Sequence, residues 1–253
     1  EMLECTTTLA AAAGATERIR IGSGVLLVAI RPPALVAKNV ATLQLVSGGR
    51  FVLGVGVGGE NPAEWEAMGV DVRTRGRRTN ELLEALPRLL AGEPVTMPDG
   101  TPIPSLRPVA PMPPVWVGGR ADAALQRAAR FGDVWLGLFL EARHVAAKRE
   151  QLAELAAAAG RPAPAVALTV FVNAGPGPGV HDEAKAYLEG AYGVPYEKTG
   201  RYCAVGTVEE VAEKLAALCD AGVEGLQLIP AARDVEAQYE PLAEAVALVR
   251  ASA

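Results

Sequence analysis

The chain has 253 residues, of which 50% are hydrophobic and 21% charged, and its formal net charge is −5. Since no basic stretch could neutralise a nucleic-acid backbone, we expect no nucleic-acid partner. No apolar run approaches the roughly 20 residues of a membrane span. The 3 cysteines show no paired spacing, which indicates neither a disulfide framework nor a metal site. We therefore expect a cytoplasmic protein with no membrane partner.

Predicted strands and helices alternate along the chain. Six apolar runs are typical of strands: 18–27, 51–53, 115–117, 134–138, 166–172 and 225–229. A helix or a long excursion separates each run from the next, and such alternation builds an open doubly wound sheet or a closed barrel of eight strands. Residue 1 already lies in a helical pattern that runs to residue 15, so we expect the first strands of a barrel to be missing.

The chain is expected to form a single α/β domain over residues 1–253. Within it, seven prolines and a glycine interrupt residues 95–114, so we predict an excursion outside the central sheet. Residues 174–205 are predicted to be an irregular insertion with one short helix. Four tyrosines in this insertion suggest a pocket wall, a subunit contact or ordinary packing: Tyr187, Tyr192, Tyr196 and Tyr202.

A glycine-rich turn follows the strand that begins at Phe51. Gly54, Gly56, Gly58 and Gly59 precede a helical pattern that opens after residue 62. Glycines let a backbone approach an anion closely, so the turn predicts a phosphate cradle, with a plain tight turn as the alternative. Gly54, Gly56 and Gly59 also match G-x-G-x-x-G. A Rossmann site is disfavoured, because the region about 20 residues further on is helical instead of a strand ending in an acidic residue.

A second glycine turn, Gly118-Gly119-Arg120, joins the strand at 115–117 to a helix predicted over 121–130. Its chemistry also suits an anion. The two histidines, His144 and His181, lie far apart and are interpreted as solvated side chains.

An ordered set of motifs resembles the luciferase-like monooxygenase family. In chain order these are IRIGSGVL, R-P-P before a helix, ATLQLVSGGRFVLGVGVG, VWVGGR, AARFGDVWL and GTVEEVAEKLAALCDAGVEGLQL. Within the family, the chain is similar to the branch that uses the deazaflavin coenzyme F420. The resemblance implies a TIM-type (β/α)8 barrel, here with six visible strands, whose F420 or FMN lies at the carboxyl ends of the strands.

The resemblance also implies which residues contact the cofactor. It places a cis peptide bond between Gly24 and Val25, a cofactor-lining loop at residues 57–59, and a phosphate site at residues 118–120. The expected cofactor-binding residues are Gly24, Val25, Val57, Gly58, Gly59, Gly118, Gly119 and Arg120.

The function implied by the resemblance is hydride transfer between F420 and a small organic substrate. The alternatives are an FMN-dependent monooxygenase that uses oxygen, and a non-catalytic flavin-binding or structural relative. A homodimer is implied as well. The family's catalytic acid or histidine is expected upstream of Glu1, so no catalytic residue is assigned, and Glu60 or Glu64 is the nearest substitute acid.

Overall fold

The computed structural model describes residues 3–59 and 61–252, which divide into two compact units. The first unit contains the chain up to Trp135 together with Leu155–Pro164. The second contains Leu136–Glu154 and the chain from Ala165 onward. The expectation of one domain over the whole chain stays a prediction.

The elements of the first unit are short strands and longer helices in alternation. In chain order they are α1 (Cys5–Ala15), β1 (Ile21–Gly22), β2 (Leu26–Leu27), α2 (Pro33–Val46), β3 (Phe51–Gly56), α3 (Pro62–Ala67), α4 (Arg75–Leu90), β4 (Val95–Thr96), β5 (Pro102–Ile103), β6 (Val115–Gly118) and α5 (Asp122–Phe131). Single 3-10 turns lie at Val28–Ile30 and Val72–Thr74.

Strand β7 (Val134–Leu138) and helix α6 (Ala142–Ala158) contribute residues to both units. The second unit continues with β8 (Ala165–Ala174), α7 (Gly179–Tyr192), α8 (Tyr196–Thr199), β9 (Ala204–Gly206), α9 (Val208–Asp220), β10 (Gly225–Pro230) and α10 (Tyr239–Ser252).

Parallel pairing organises the strands of both units. In the first, β3 pairs with β1 and β2 and also with β6. All six residues of β3 are buried, as expected for a strand covered on both faces. In the second, β8 pairs in parallel with β9 and β10. The predicted α/β class is therefore confirmed.

Local sequence chemistry explains where several helices begin and which face they bury. Pro33 occupies the first turn of α2, where a missing amide hydrogen costs nothing. In α4 the buried leucines recur at helical spacing: Leu82, Leu83, Leu86, Leu89 and Leu90. Thr207 and Glu210 form a reciprocal capping box at the start of α9, which satisfies backbone amides at this end of the helix.

Three segments differ from the sequence expectations. The run at 18–27 is divided into β1 and β2 by Ser23, Gly24 and Val25. The excursion at 95–114 contains the antiparallel pair of β4 and β5, outside the parallel sheet. The predicted short helix in the insertion is longer, since α7 spans 14 residues. Among the described residues, every helix is too short or too polar to cross a bilayer.

Candidate functional site

A bulge separates β1 from β2 at the edge of β3. Gly22 pairs with Val52, whereas Leu26 pairs with Val55, so the first strand carries one extra residue across this interval. The buried Ser23 hydroxyl donates to the carbonyl oxygen of Gly54 at 2.8 Å and accepts from the Gly54 amide at 3.0 Å. At this point, hydrogen bonds with a side-chain hydroxyl replace the backbone-to-backbone bonds of the strand pair. The Gly24–Val25 peptide bond is cis, as expected.

Three glycines on the neighbouring strands make room for the bulge. A Cβ on Gly54 would lie 1.8 Å from the Ser23 carbonyl oxygen. On Gly56 it would lie 2.4 Å from Val25 Cγ2, and on Gly118 it would lie 2.8 Å from Val25 Cγ1. Packing against the bulge therefore explains Gly54 and Gly56, which the sequence analysis assigned to a phosphate cradle.

The loop after β3 carries the next group of predicted site residues. Val57, Gly58 and Gly59 are half-buried, and the two glycines have positive φ values of 57° and 115°. A Cβ on Gly58 would lie 2.7 Å from Leu27 Cδ1, so the loop packs closely on the end of β2. Glu60, one of the two substitute acids, lies outside the described residues. The other, Glu64, is exposed in the first turn of the six-residue helix α3.

The turn from β6 to α5 contains the third group. Gly118 is buried, Gly119 has a φ of 136°, and Arg120 is exposed. The Trp135 indole donates to the Gly119 carbonyl oxygen at 2.9 Å. In a trans peptide the carbonyl oxygen and the amide hydrogen point in opposite directions, so this bond turns the Arg120 N–H away from Trp135. The peptide orientation in this turn is therefore set by a buried tryptophan.

These three groups lie at one edge of the sheet. Leu53 pairs with Val115 and Val55 pairs with Val117 in parallel register, so both glycine turns follow strands that end on the same side. Val25 lies between Gly56 and Gly118. We call this group the strand-end site, and it comprises residues 24–25, 57–59 and 118–120. Its surface consists mainly of backbone and small side chains.

An arginine of α4 contacts the strand-end site, and an arginine of α5 bonds to the same helix. Arg75 is half-buried and lies against Gly59, whose Cβ would be 3.2 Å from Arg75 Nε. Arg127 is only 6% exposed and donates to Asn80 Oδ1 at 2.6 Å and to the Gly76 carbonyl oxygen at 3.3 Å. Burial lowers the pKa of Arg127. The sequence analysis did not assign Arg75 to the site.

A separate cleft of about 320 Å³ in the first unit contains none of the predicted site residues. Two arginines line it, and each already has a partner. Arg31 pairs with Glu4 at 3.3 Å, and Arg78 donates to the Ala29 carbonyl oxygen at 2.8 Å. Arg31 is thus paired with a carboxylate, whereas Arg78 is held by a backbone carbonyl.

The second unit contains a cluster of aromatic rings. Phe139 has a φ of 53°, unusual for a residue with a side chain, and stacks on Phe171 with ring centroids 5.8 Å apart. Phe171 also contacts Tyr187 and Tyr192, and Phe139 contacts Tyr202. Three of the four tyrosines that the sequence analysis grouped therefore lie around two phenylalanines, and the fourth, Tyr196, packs against the core cluster that contains Phe171. Both histidines are exposed, and His181 Nδ1 lies 3.3 Å from the Tyr196 hydroxyl.

The cysteines are poorly suited to nucleophilic chemistry. Burial raises the pKa of the Cys203 thiol to about 11, and the thiol donates to the Thr199 carbonyl oxygen at 3.5 Å. Burial also raises the pKa values of Cys5 and Cys219. Since the thiolate is the reactive form, these environments favour the inert thiol.

Comparisons with known proteins give a matching family model and several relatives. The family model described as luciferase-like monooxygenase matches residues 2–193. An uncharacterised protein of Mycobacterium tuberculosis is 42% identical over 141 residues, which make up 52% of this chain and 46% of that protein. A 5,10-methylenetetrahydromethanopterin reductase of Methanolobus tindarius is 33% identical over 142 residues, 54% of this chain and 42% of the reductase. The chain thus matches less than half the length of these two relatives.

A solved structure shows the same fold along nearly the whole chain. It is an F420-dependent secondary alcohol dehydrogenase in complex with an F420-acetone adduct, and its TM-score is 0.83 at 20% identity. The match covers 99% of this chain and 85% of that chain, which confirms the predicted TIM-type barrel fold. With more than half of its residues matched by the family model, the chain belongs to the luciferase-like monooxygenase family.

Proposed function

We propose that this chain is part of an oxidoreductase that binds coenzyme F420 and transfers a hydride between it and a small organic substrate. The observation that carries the proposal is the strand-end site itself. Three parallel strands end around Val25. The Val25 side chain leaves no room for a residue larger than glycine at positions 56 and 118. Such a side-chain-poor surface suits a flat ring system. The likeness to a solved F420-dependent alcohol dehydrogenase supports F420 as that ring.

The residues of the strand-end site fit both parts of such a cofactor. Gly24 and Val25 would lie against the ring, and Val57, Gly58 and Gly59 would line it. Gly118, Gly119 and Arg120 would hold the phosphate, because backbone amides and a guanidinium are good partners for phosphate oxygens. The cofactor supplies the carbon that accepts or gives the hydride, while the chain supplies position and electrostatics.

An FMN-dependent monooxygenase is the second candidate, and the family's description as luciferase-like monooxygenases favours it. FMN ends in one phosphate, whereas F420 continues into a longer acidic tail. The two candidates therefore differ in how much negative charge the protein must accommodate beyond the ring.

Titration of the chain with F420 and with FMN, followed by the fluorescence of each cofactor, tests the proposal. We expect F420 to bind at micromolar concentration and FMN to bind more weakly. Tighter binding of FMN would favour the monooxygenase, and binding of neither cofactor would overturn both candidates.

A pair of variants tests whether the cofactor binds at the strand-end site. Arg120→Gln is expected to weaken F420 binding by about 10-fold, the usual effect of losing a hydrogen bond to a charged group. Arg130→Gln is the matched control, because exposed Arg130 pairs with Glu84 at the other end of α5. Equal affinities for the two variants would remove Arg120 from the site.

A further inference from the structure

Helix α4 begins with an unusual concentration of positive charge. Arg75, Arg77 and Arg78 lie in its first turn, which contains no acidic residue. Cations at a helix N-terminus oppose the helix dipole, so the stability of α4 does not account for them. Arg77 pairs with Glu81 at 2.8 Å and Arg78 donates to the Ala29 carbonyl oxygen. Of the three arginines, Arg75 is the one that lies against Gly59 in the loop after β3.

The position of Arg75 connects it to the loop after β3. Its side chain lies on Gly59, where a Cβ would be 3.2 Å from Nε and 3.5 Å from Cζ. Gly59 thus leaves space that the guanidinium fills, next to the predicted cofactor-lining residues. The contact joins a loop glycine to the side chain of an arginine 16 positions later in the sequence.

The hydrogen bonds that Arg75 makes to residues 3–59 and 61–252 leave most of its donors available. Nη1 donates to the Val72 carbonyl oxygen at 3.0 Å, which uses one N–H group. Within residues 3–59 and 61–252, no carboxylate lies at ion-pair distance from this guanidinium. A half-buried guanidinium stays charged, and charges removed from water are normally paired. The remaining donors form the planar fork that binds carboxylate and phosphate oxygens through two bonds.

We propose that Arg75 binds an anionic oxygen group, a phosphate or a carboxylate, of a ligand held at the strand-end site. The inference rests on the proposed function and extends the site to the start of α4. The anionic group belongs either to the acidic tail of the cofactor or to the substrate, and both sources offer the same chemistry to the guanidinium.

The first arm of the test compares F420 with the tail-free deazaflavin, which has the ring and the ribityl chain but no phosphate. If Arg75 contacts the tail, Arg75→Gln weakens F420 binding by about 10-fold to 100-fold and leaves the tail-free compound unaffected. Arg77→Gln is the matched control, because Arg77 is exposed on the same helix turn and pairs with Glu81.

The second arm uses inorganic phosphate, titrated calorimetrically into the chain with and without F420. If Arg75 holds a substrate anion, phosphate binds the F420-loaded chain, Arg75→Gln abolishes that binding, and F420 affinity is unchanged. If the chain binds no F420 at all, the proposed function fails, and phosphate binding to the free chain still tests Arg75.

Arg75→Lys separates a loss of ligand binding from a loss of folding, because it keeps the positive charge and loses the planar fork of donors. We expect it to bind F420 or phosphate with an affinity between those of the wild type and Arg75→Gln, at an unchanged melting temperature. The proposal is overturned if Arg75→Gln and Arg77→Gln bind F420, the tail-free deazaflavin and phosphate equally well.

Discussion

At the scale of single residues, the tightest constraint on the site is the space around Gly54. An added Cβ would meet the Ser23 carbonyl oxygen at 1.8 Å, and this oxygen belongs to backbone that cannot rotate away. We expect Gly54→Ala to lower the free energy of unfolding by about 3 kcal/mol, the upper part of the usual range for overpacking. Urea-induced unfolding measures the change.

Gly14→Ala provides the control for that experiment, since no described atom outside the adjoining backbone of α1 lies within 4 Å of a Cβ at this position. Alanine is the better helix former, so this variant should gain up to about 1 kcal/mol. Similar losses for the two variants would show that crowding at the bulge is not what requires glycine at position 54.

Gly54 also shows where reasoning from the sequence reached its limit. The spacing of the glycines was visible, and it suggested an anion cradle. The actual reason is a contact with Ser23, which is 31 positions away and meets Gly54 only because a bulge brings it there. Nothing in the local pattern around Gly54 encodes that bulge, so the resemblance to a family was the only available signal.

At the scale of elements, the start of α1 makes the fold sensitive to acid. Burial raises the pKa of Glu4, but hydrogen bonds from the amides and side chains of Thr7 and Thr6 outweigh it and lower the pKa from 4.5 to about 2. The unfolded chain therefore binds a proton that the folded chain does not. This contribution to stability is complete above pH 4.5 and is lost as the pH falls towards 2.

We expect Glu4→Gln to reduce the acid sensitivity of unfolding. The Glu4 side chain is 44% exposed, so water screens the effect and limits it to about 1 kcal/mol. The free energy of unfolding, measured in urea at about pH 5 and about pH 3, should fall further for the wild type than for the variant. Equal losses would exclude the Glu4 cap as a source of acid sensitivity.

Elements with strong local signals were predicted well. The leucine spacing of α4 matches its buried face, and Thr207 with Glu210 three residues later has the pattern of a capping box at the start of α9. The antiparallel pair of β4 and β5 was not predicted, because two-residue strands between prolines have no detectable alternation. Helix α7 is longer than the predicted short helix. Its first turn follows Pro178 and starts at Gly179, two residues that usually argue against a helix.

At the scale of the whole molecule, the edge on which the candidate site lies could be predicted, but its charged neighbours could not. Parallel strands end on the same side of a sheet, so alternation alone implied that both glycine turns meet there. Arg75 reaches that edge from the start of α4 through a side-chain contact. Contacts of this kind depend on tertiary packing and cannot be predicted from the spacing of apolar residues in the sequence.

The distribution of aromatic residues allows the unfolding of the two units to be followed separately. All 3 tryptophans belong to the first unit, and all 5 tyrosines belong to the second. Tryptophan fluorescence therefore reports on the first unit, and tyrosine circular dichroism in the near ultraviolet reports mainly on the second. The two signals can be recorded on the same sample during one urea titration.

We expect the two signals to change at the same urea concentration. Strand β7 and helix α6 each have residues in both units, so neither unit can unfold without breaking an element of the other. Coincident transitions from independent probes are the usual test of two-state unfolding. Addition of F420 should move both midpoints upward together, because a ligand that binds only the folded chain stabilises the whole cooperative unit. Two separate midpoints would show that the shared strand and helix do not couple the units.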